Sequence, residues 1–170
     1  MALREILTYP DERLRTPAEP VAEVNDEIRQ LVEDMAETMY AAEGVGLAAN
    51  QIGVLKRIFV IDIAGEDEPS DLKVFINPEI LETDGTQTFS EGCLSFPGAR
   101  EDIKRAESVR VRALDANGEP FELHATGLLA VAIQHENDHI NGVLMIDKVG
   151  AIARRKIGRQ MARIRQEATV

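Results

Sequence analysis

Apolar positions first recur at helical spacing between residues 25 and 43, where Ile28, Leu31, Val32, Met35 and Met39 fall on one face. Asn25 or Asp26 can cap this predicted helix, and Gly44 offers a C′ stop. The Gly- and Ala-rich GVGLAANQIG at 44–53 reads as a tight loop. The period then changes. RIFVIDI at 57–63 and KVFI at 73–76 read as strands, the second closed by Asn77-Pro78, with the exposed acidic loop GEDEPSD between them. A further strand or hairpin is expected from Ile80 to Phe89, turning at Asp84-Gly85. In ESVRVRAL at 107–114, Val109 and Val111 alternate with Arg110 and Arg112. Asn117-Gly118 is a two-residue hairpin signal, and EPFELHA is its return strand.

Helical character returns after Thr126, a capping residue, and ends at Gly142. The run from Leu128 through Leu129, Ala130, Val131 and Ala132 to Ile133 is apolar on every face, as expected of a buried helix. A basic helix over roughly 150–166 closes the chain. Helix, several antiparallel strands, helix, helix is an α+β order. It predicts one domain with antiparallel β-sheets packed around a central helix, plus an N-terminal and a C-terminal helix. A length of 170 residues suits a single core, with 1–147 as its body and 148–170 as a basic helix of the same domain.

The buried helix carries polar letters that need partners: Gln134-His135-Glu136-Asn137-Asp138-His139. His135 and His139, four apart, share a face with Cβ atoms roughly 5–6 Å apart, close enough to hold one metal ion. Glu136 can reach a water there. This is the H-E-x-x-H constellation of metal-assisted hydrolysis. Catalytic sites usually show three protein ligands, and Cys93, His124 or a carboxylate could be the third. Cys93 lies in the turn EGCLSFPG and offers a thiolate, a strong donor for a borderline-soft metal. His124 falls on the exposed hairpin strand and reads as a surface residue. Amide cleavage also needs donors for a developing oxyanion. Gln51 is the side-chain candidate, because Gly44, Gly46, Ala48 and Ala49 let the backbone approach a substrate closely. By spacing alone, that loop reads equally as a compact connection.

Charge and cysteine usage narrow the class. A net charge of −11 argues against a general nucleic-acid or DNA binder. The tail is the exception: Lys148, Arg154, Arg155, Lys156, Arg159, Arg163 and Arg165 meet one acid, Glu167. Such asymmetry suggests a local polyanion contact, or a solvated basic helix balancing an acidic body. The lone Cys93 excludes an intramolecular disulfide and suits a reducing compartment. No apolar stretch is long enough to span a bilayer, and MALREILTYPDERLR lacks a secretory h-region. The expected compartment is the cytoplasm, with no membrane partner.

GVGLAANQ at 44–51, EGCLS at 91–95 and QHENDH at 134–139, in that order, resemble the three motifs of the bacterial-type peptide deformylase family. The resemblance runs from LTYPDERLR to Gly142. It implies that 1–147 is catalytic and that Cys93, His135 and His139 hold one divalent metal, ferrous iron in the cell, with zinc, nickel or cobalt able to substitute. It implies Glu136 as general base and acid, with the Gln51 side chain and the Leu94 backbone N–H as oxyanion donors. Gly46 and Gly92 are expected to flank the substrate chain, and Val45, Phe89, Leu128, Val131 and Ala132 to line a methionine pocket. The implied substrates are nascent polypeptides beginning with N-formylmethionine, with formate released and a ribosome contact for the basic helix. Ile140 and Phe96 depart from the usual residues at their positions, which touches pocket detail only. Two other readings compete. A zinc endopeptidase shares H-E-x-x-H but calls for a His or Glu third ligand. A non-enzymatic, ribosome-associated metal-binding module calls for four protein ligands, and one Cys with three His supplies few.

Overall fold

The computed structural model describes residues 2–65 and 67–169, the side chains of 165–169 excepted. In chain order the elements are α1 (Asp26–Ala41), β1 (Gly46–Ala48), β2 (Ile58–Ile61), β3 (Lys73–Asp84), β4 (Gln87–Cys93), β5 (Phe96–Arg105), β6 (Ser108–Leu114), β7 (Pro120–Thr126), α2 (Gly127–Ile140) and α3 (Ala151–Thr169). Short 3₁₀ turns cover Glu12–Arg15, Ala49–Ile52 and Met145–Lys148. Five strands form one antiparallel sheet in the order β1-β2-β3-β6-β7, and β4 with β5 forms a separate hairpin. This is the α+β class that the element order predicts.

Helix α1 starts as expected, with Asn25 Oδ1 accepting from Ile28 N, and it buries Ile28, Leu31, Val32, Met35 and Met39. Its stop differs. The left-handed residue is Glu43 (φ 58°), and Gly44 N donates to Met39 O at 3.0 Å. A Cβ at 44 would lie 2.7 Å from Leu94 Cδ1, so a larger residue there would displace that side chain. The stretch read as a loop at 44–53 is an edge strand, β1, followed by a 3₁₀ turn. Asn77-Pro78 does not end β3. Asn77 takes φ 52°, its side-chain amide pairs with the backbone N–H and C=O of Val21, and the strand resumes to Asp84 after a register shift.

Asp84-Gly85 does turn the chain, but β3 and β4 belong to different sheets, so the turn is no hairpin. The hairpin after β6 is wider than two residues. Leu114 pairs with Pro120, and Asp115 Oδ1 accepts from Asn117 N and Glu119 N. Thr126 occupies the N-cap of α2 without a side-chain hydrogen bond. β5 carries no sequence signal, because Pro97, Gly98 and a run of charged residues hide its buried Phe96, Ala99 and Ile103.

Helix α2 runs through the middle. Ala130, Ala132, Ile133 and Ile140 pack with Phe59, Phe75, Val109 and Val111 of the large sheet. Helix α3 lies against β5 and buries Ile157 and Met161 among Phe96, Ala99, Ile103 and Met145. It is therefore part of the packed body as well as a charged surface. No helix among the described residues is long and apolar enough to cross a membrane.

Asp147 ties the N-terminal segment to α3. Its carboxylate accepts from Arg15 (3.0 Å), Arg154 (3.0 Å) and the Leu144 N–H (2.9 Å). Burial opposes its ionisation, but these partners outweigh it and hold its pKa below the usual carboxylate value. A depressed folded-state pKa stabilises fully above the unfolded-chain value of about 3.9, and the gain is lost as pH falls through the folded value. Asp147→Asn is expected to lower Tm at pH 7 by a few degrees. The gap between the two proteins in calorimetric scans should close below about pH 4.

Candidate metal centre

The apolar residues Ala130–Ile133 pack α2 into the interior, and the helix carries His135, Glu136 and His139 there with them. One helical turn separates the imidazoles, and their Nε2 atoms lie 3.2 Å apart. Cys93 comes from the other sheet, at the last position of β4, where a two-residue turn to β5 pairs it with Phe96. Its Sγ lies 3.3 Å from His139 Nε2, and the three donor atoms fall within 4.8 Å of one another. Tetrahedral bonds of about 2.1 Å to nitrogen and about 2.3 Å to sulfur would set such donors roughly 3.4–3.6 Å apart. The cluster therefore fits one metal ion. Cys93, not His124, completes it: His124 is exposed on β7.

Around the cluster, the partners fix protonation. His135 Nδ1 lies 2.9 Å from Glu91 Oε1. An ionised carboxylate only accepts, so Nδ1 carries a hydrogen. Burial opposes the charged form, but Glu136, Cys93 and Glu91 outweigh it and raise the His135 pKa well above its ordinary value, so Nε2 would give up its proton on binding a metal. Arg105 grips Glu91 twice, Nε to Oε2 at 2.7 Å and Nη2 to Oε1 at 3.0 Å, and gives Nη1 to Asp138 Oδ2 at 2.8 Å. Burial raises the Glu91 pKa, but His135 and Arg105 outweigh it and keep the carboxylate ionised. Burial, with the nearby His135 and Arg105, holds the His139 pKa well below normal, so this imidazole is neutral with a lone pair to give. Its Nδ1 is buried with no hydrogen-bond partner among the described residues.

Glu136 stands beside the cluster. Burial pushes its pKa up to about 7, against the pull of His135 and Arg105. Its Oε1 has no hydrogen-bond partner among the described residues, and its Oε2 faces Gly46, where a Cβ would lie only 2.6 Å away. Gln51 is buried in the 3₁₀ turn after β1. Its Oε1 accepts from Ala48 N at 3.0 Å, and its Nε2 lies 3.0 Å from Ser95 Oγ and 3.6 Å from Cys93 Sγ.

These groups meet in a cavity of about 630 Å³. Val45, Gly46 and Gln51 form one wall, and Phe89, Gly92, Cys93 and Leu94 another. Leu128, Val131, Ala132, His135 and Glu136 line it from α2, and His139 sits behind this wall. Val45 and Leu128 are 48% and 41% exposed, an apolar rim. Every site residue expected from the sequence is thus brought to one place. Sequence reasoning missed the roles of Glu91, Ser95, Arg105 and Asp138. Glu91 and Ser95 were visible only as letters of EGCLS, and Arg105 stands among other charges with nothing to distinguish it.

Comparison with known proteins agrees with this geometry. The sequence profile described as polypeptide deformylase covers residues 3–155. The chain is 51% identical over 170 residues to the peptide deformylase of Alkalilimnicola ehrlichii, covering 100% of this chain and 95% of that one. It is 53% identical over 162 residues to peptide deformylase 1 of Pseudomonas syringae pv. tomato, covering 95% of each. The crystal structure of a peptide deformylase from Legionella pneumophila superposes with a TM-score of 0.93 at 46% identity, covering 99% of this chain and 98% of that one. Fold, motif order and near-complete coverage agree: the chain belongs to the polypeptide deformylase family.

Proposed function

We propose that this enzyme removes the formyl group from the N-terminal formylmethionine of nascent polypeptides and releases formate. The convergence of Cys93, His135 and His139 beside a buried carboxylate, at the base of an apolar-rimmed cavity, carries the reading. The three residues would hold one divalent ion, ferrous iron in the cell, with zinc, nickel or cobalt able to replace it. Such an ion, when bound, polarises a carbonyl and acidifies water. Glu136 takes the proton from the attacking water and later hands it to the leaving amine. Its low-dielectric setting places its pKa near the operating pH, where one group serves as both base and acid. Gln51 Nε2 and the Leu94 N–H donate to the oxyanion that forms on the formyl carbon. Val45, Phe89, Leu128, Val131 and Ala132 take the methionine side chain. The peptide lies extended between Gly46 on the β1 edge and Gly92 on β4.

Gln51→Ala is expected to lower kcat by roughly 10²–10³, as loss of one oxyanion donor does. A competing assay tests the function itself: formate release from formyl-Met-Ala against cleavage of an unblocked internal peptide bond. Formate release without internal cleavage supports deformylation, and the reverse supports an endopeptidase.

The exposed basic face of α3 fits ribosomal RNA, and we place the enzyme in the cytoplasm, where nascent chains emerge. Truncation after Gly150 would uncover the core around Ile157 and Met161, so charge reversal is the cleaner probe. Arg155→Glu with Arg159→Glu, both exposed, is expected to weaken ribosome pelleting in a salt-dependent way and spare activity on short peptides.

A further inference from the structure

Gln51 enters the cavity with its carboxamide already oriented. The Ala48 N–H can only donate, so it fixes Oε1 as the atom it meets at 3.0 Å and turns Nε2 the other way. Nε2 carries two hydrogens. One goes to Ser95 Oγ at 3.0 Å, and the other is left for the side of Cys93, whose Sγ is 3.6 Å away. Ser95 is fully buried, so its hydroxyl has no competing solvent. The backbones of both residues are pinned by one N-terminal segment: Leu7 N donates to Gln51 O at 2.7 Å, and Tyr9 N to Ser95 O at 2.9 Å. The Tyr9 ring stacks on Phe96, the neighbour of Ser95, with centroids 5.1 Å apart.

We propose that Ser95, the last letter of EGCLS, is a positioning residue whose hydroxyl oxygen locks the Gln51 carboxamide. The inference rests on the reading of Gln51 as an oxyanion donor. A terminal carboxamide torsion is broad and roughly two-fold. With Ala48 and the long 3.6 Å contact to Cys93 Sγ as its only anchors, the amide swings, and the donor must be reorganised at the moment of reaction. With Ser95 as the short second anchor, the Nε2 hydrogen on the Cys93 side is preset.

Ser95→Ala removes one oxygen from a buried site and no charge. It is expected to lower kcat on formyl-Met-Ala about 3–30-fold, the factor of a lost neutral hydrogen bond and a looser donor. KM and metal content should change little, and Tm should fall by a few degrees because a buried Nε2 hydrogen loses its acceptor. On a Gln51→Ala background the same change should cost nothing further, because the two residues act as a unit. In ¹⁵N-labelled protein, the Gln51 side-chain amide pair should shift or broaden in Ser95→Ala. Unchanged kcat with unchanged amide resonances overturns the proposal. So does a full Ser95→Ala loss that persists without Gln51. If Gln51→Ala itself retained full kcat, the donor reading would fail and take this inference with it, an outcome distinct from failure of Ser95→Ala alone.

Discussion

Glu136→Ala is expected to lower kcat for formyl-Met-Ala by about 10²–10⁴, the range of a positioned acid–base group, with one metal ion per chain retained. The variant keeps Cys93, His135 and His139 and the Glu91 contact that orients His135. Its stability should not suffer. Glu136 is buried with Oε1 unpaired, and removing a buried polar group that lacks a partner relieves a cost. Tm at or above that of the parent, with activity lost, marks a group kept for chemistry. Near-normal turnover would show that the proton is handled elsewhere.

Arg105→Ala should show the opposite pattern, with the largest effect on stability. Arg105 and Glu91 are each 5% exposed at the side chain and joined by two hydrogen bonds. Removing the guanidinium leaves a carboxylate buried beside His135 and uncouples Asp138. Breaking such a pair costs about 3–5 kcal/mol, which in a domain of this size lowers Tm by roughly 10 °C. His135 then loses its fixed orientation, so metal held as proposed should leave faster in a chelator-competition assay. A variant that melts with the parent and releases metal at the parent rate would show that the ion pair neither holds the fold nor orients His135.

What could be read from the sequence was local. The run Leu128–Ile133 and the spacing of His135 and His139 live on one helix, so periodicity alone revealed both a buried element and a shared face. Cys93 lies 46 positions before His139 and reaches it only because β4 ends beneath α2. Spacing left it one candidate among several, and family resemblance, not local physics, selected it. β1 escaped notice because Gly46 and Ala48 carry no strand preference; its pairing with Ile61, Val60 and Phe59 makes it a strand. Asn77-Pro78 looked like a terminator because proline withholds a ladder donor. The Asn77 side chain supplies substitute bonds to Val21, which lets β3 continue. The Arg105–Glu91 pair spans 14 positions across the β4–β5 hairpin, and no periodic pattern encodes which charge in AREDIKR turns inward.

The most direct test is a metal titration of chelator-stripped protein under anaerobic conditions, followed by formate release from formyl-Met-Ala. Activity should be absent at the start, rise linearly with added Fe²⁺ or Co²⁺ and saturate at one equivalent per chain. Cys93→Ala should fail to recover under the same conditions. Full activity in the stripped protein, or recovery of Cys93→Ala to the parent level, would contradict a reaction centred on these three ligands.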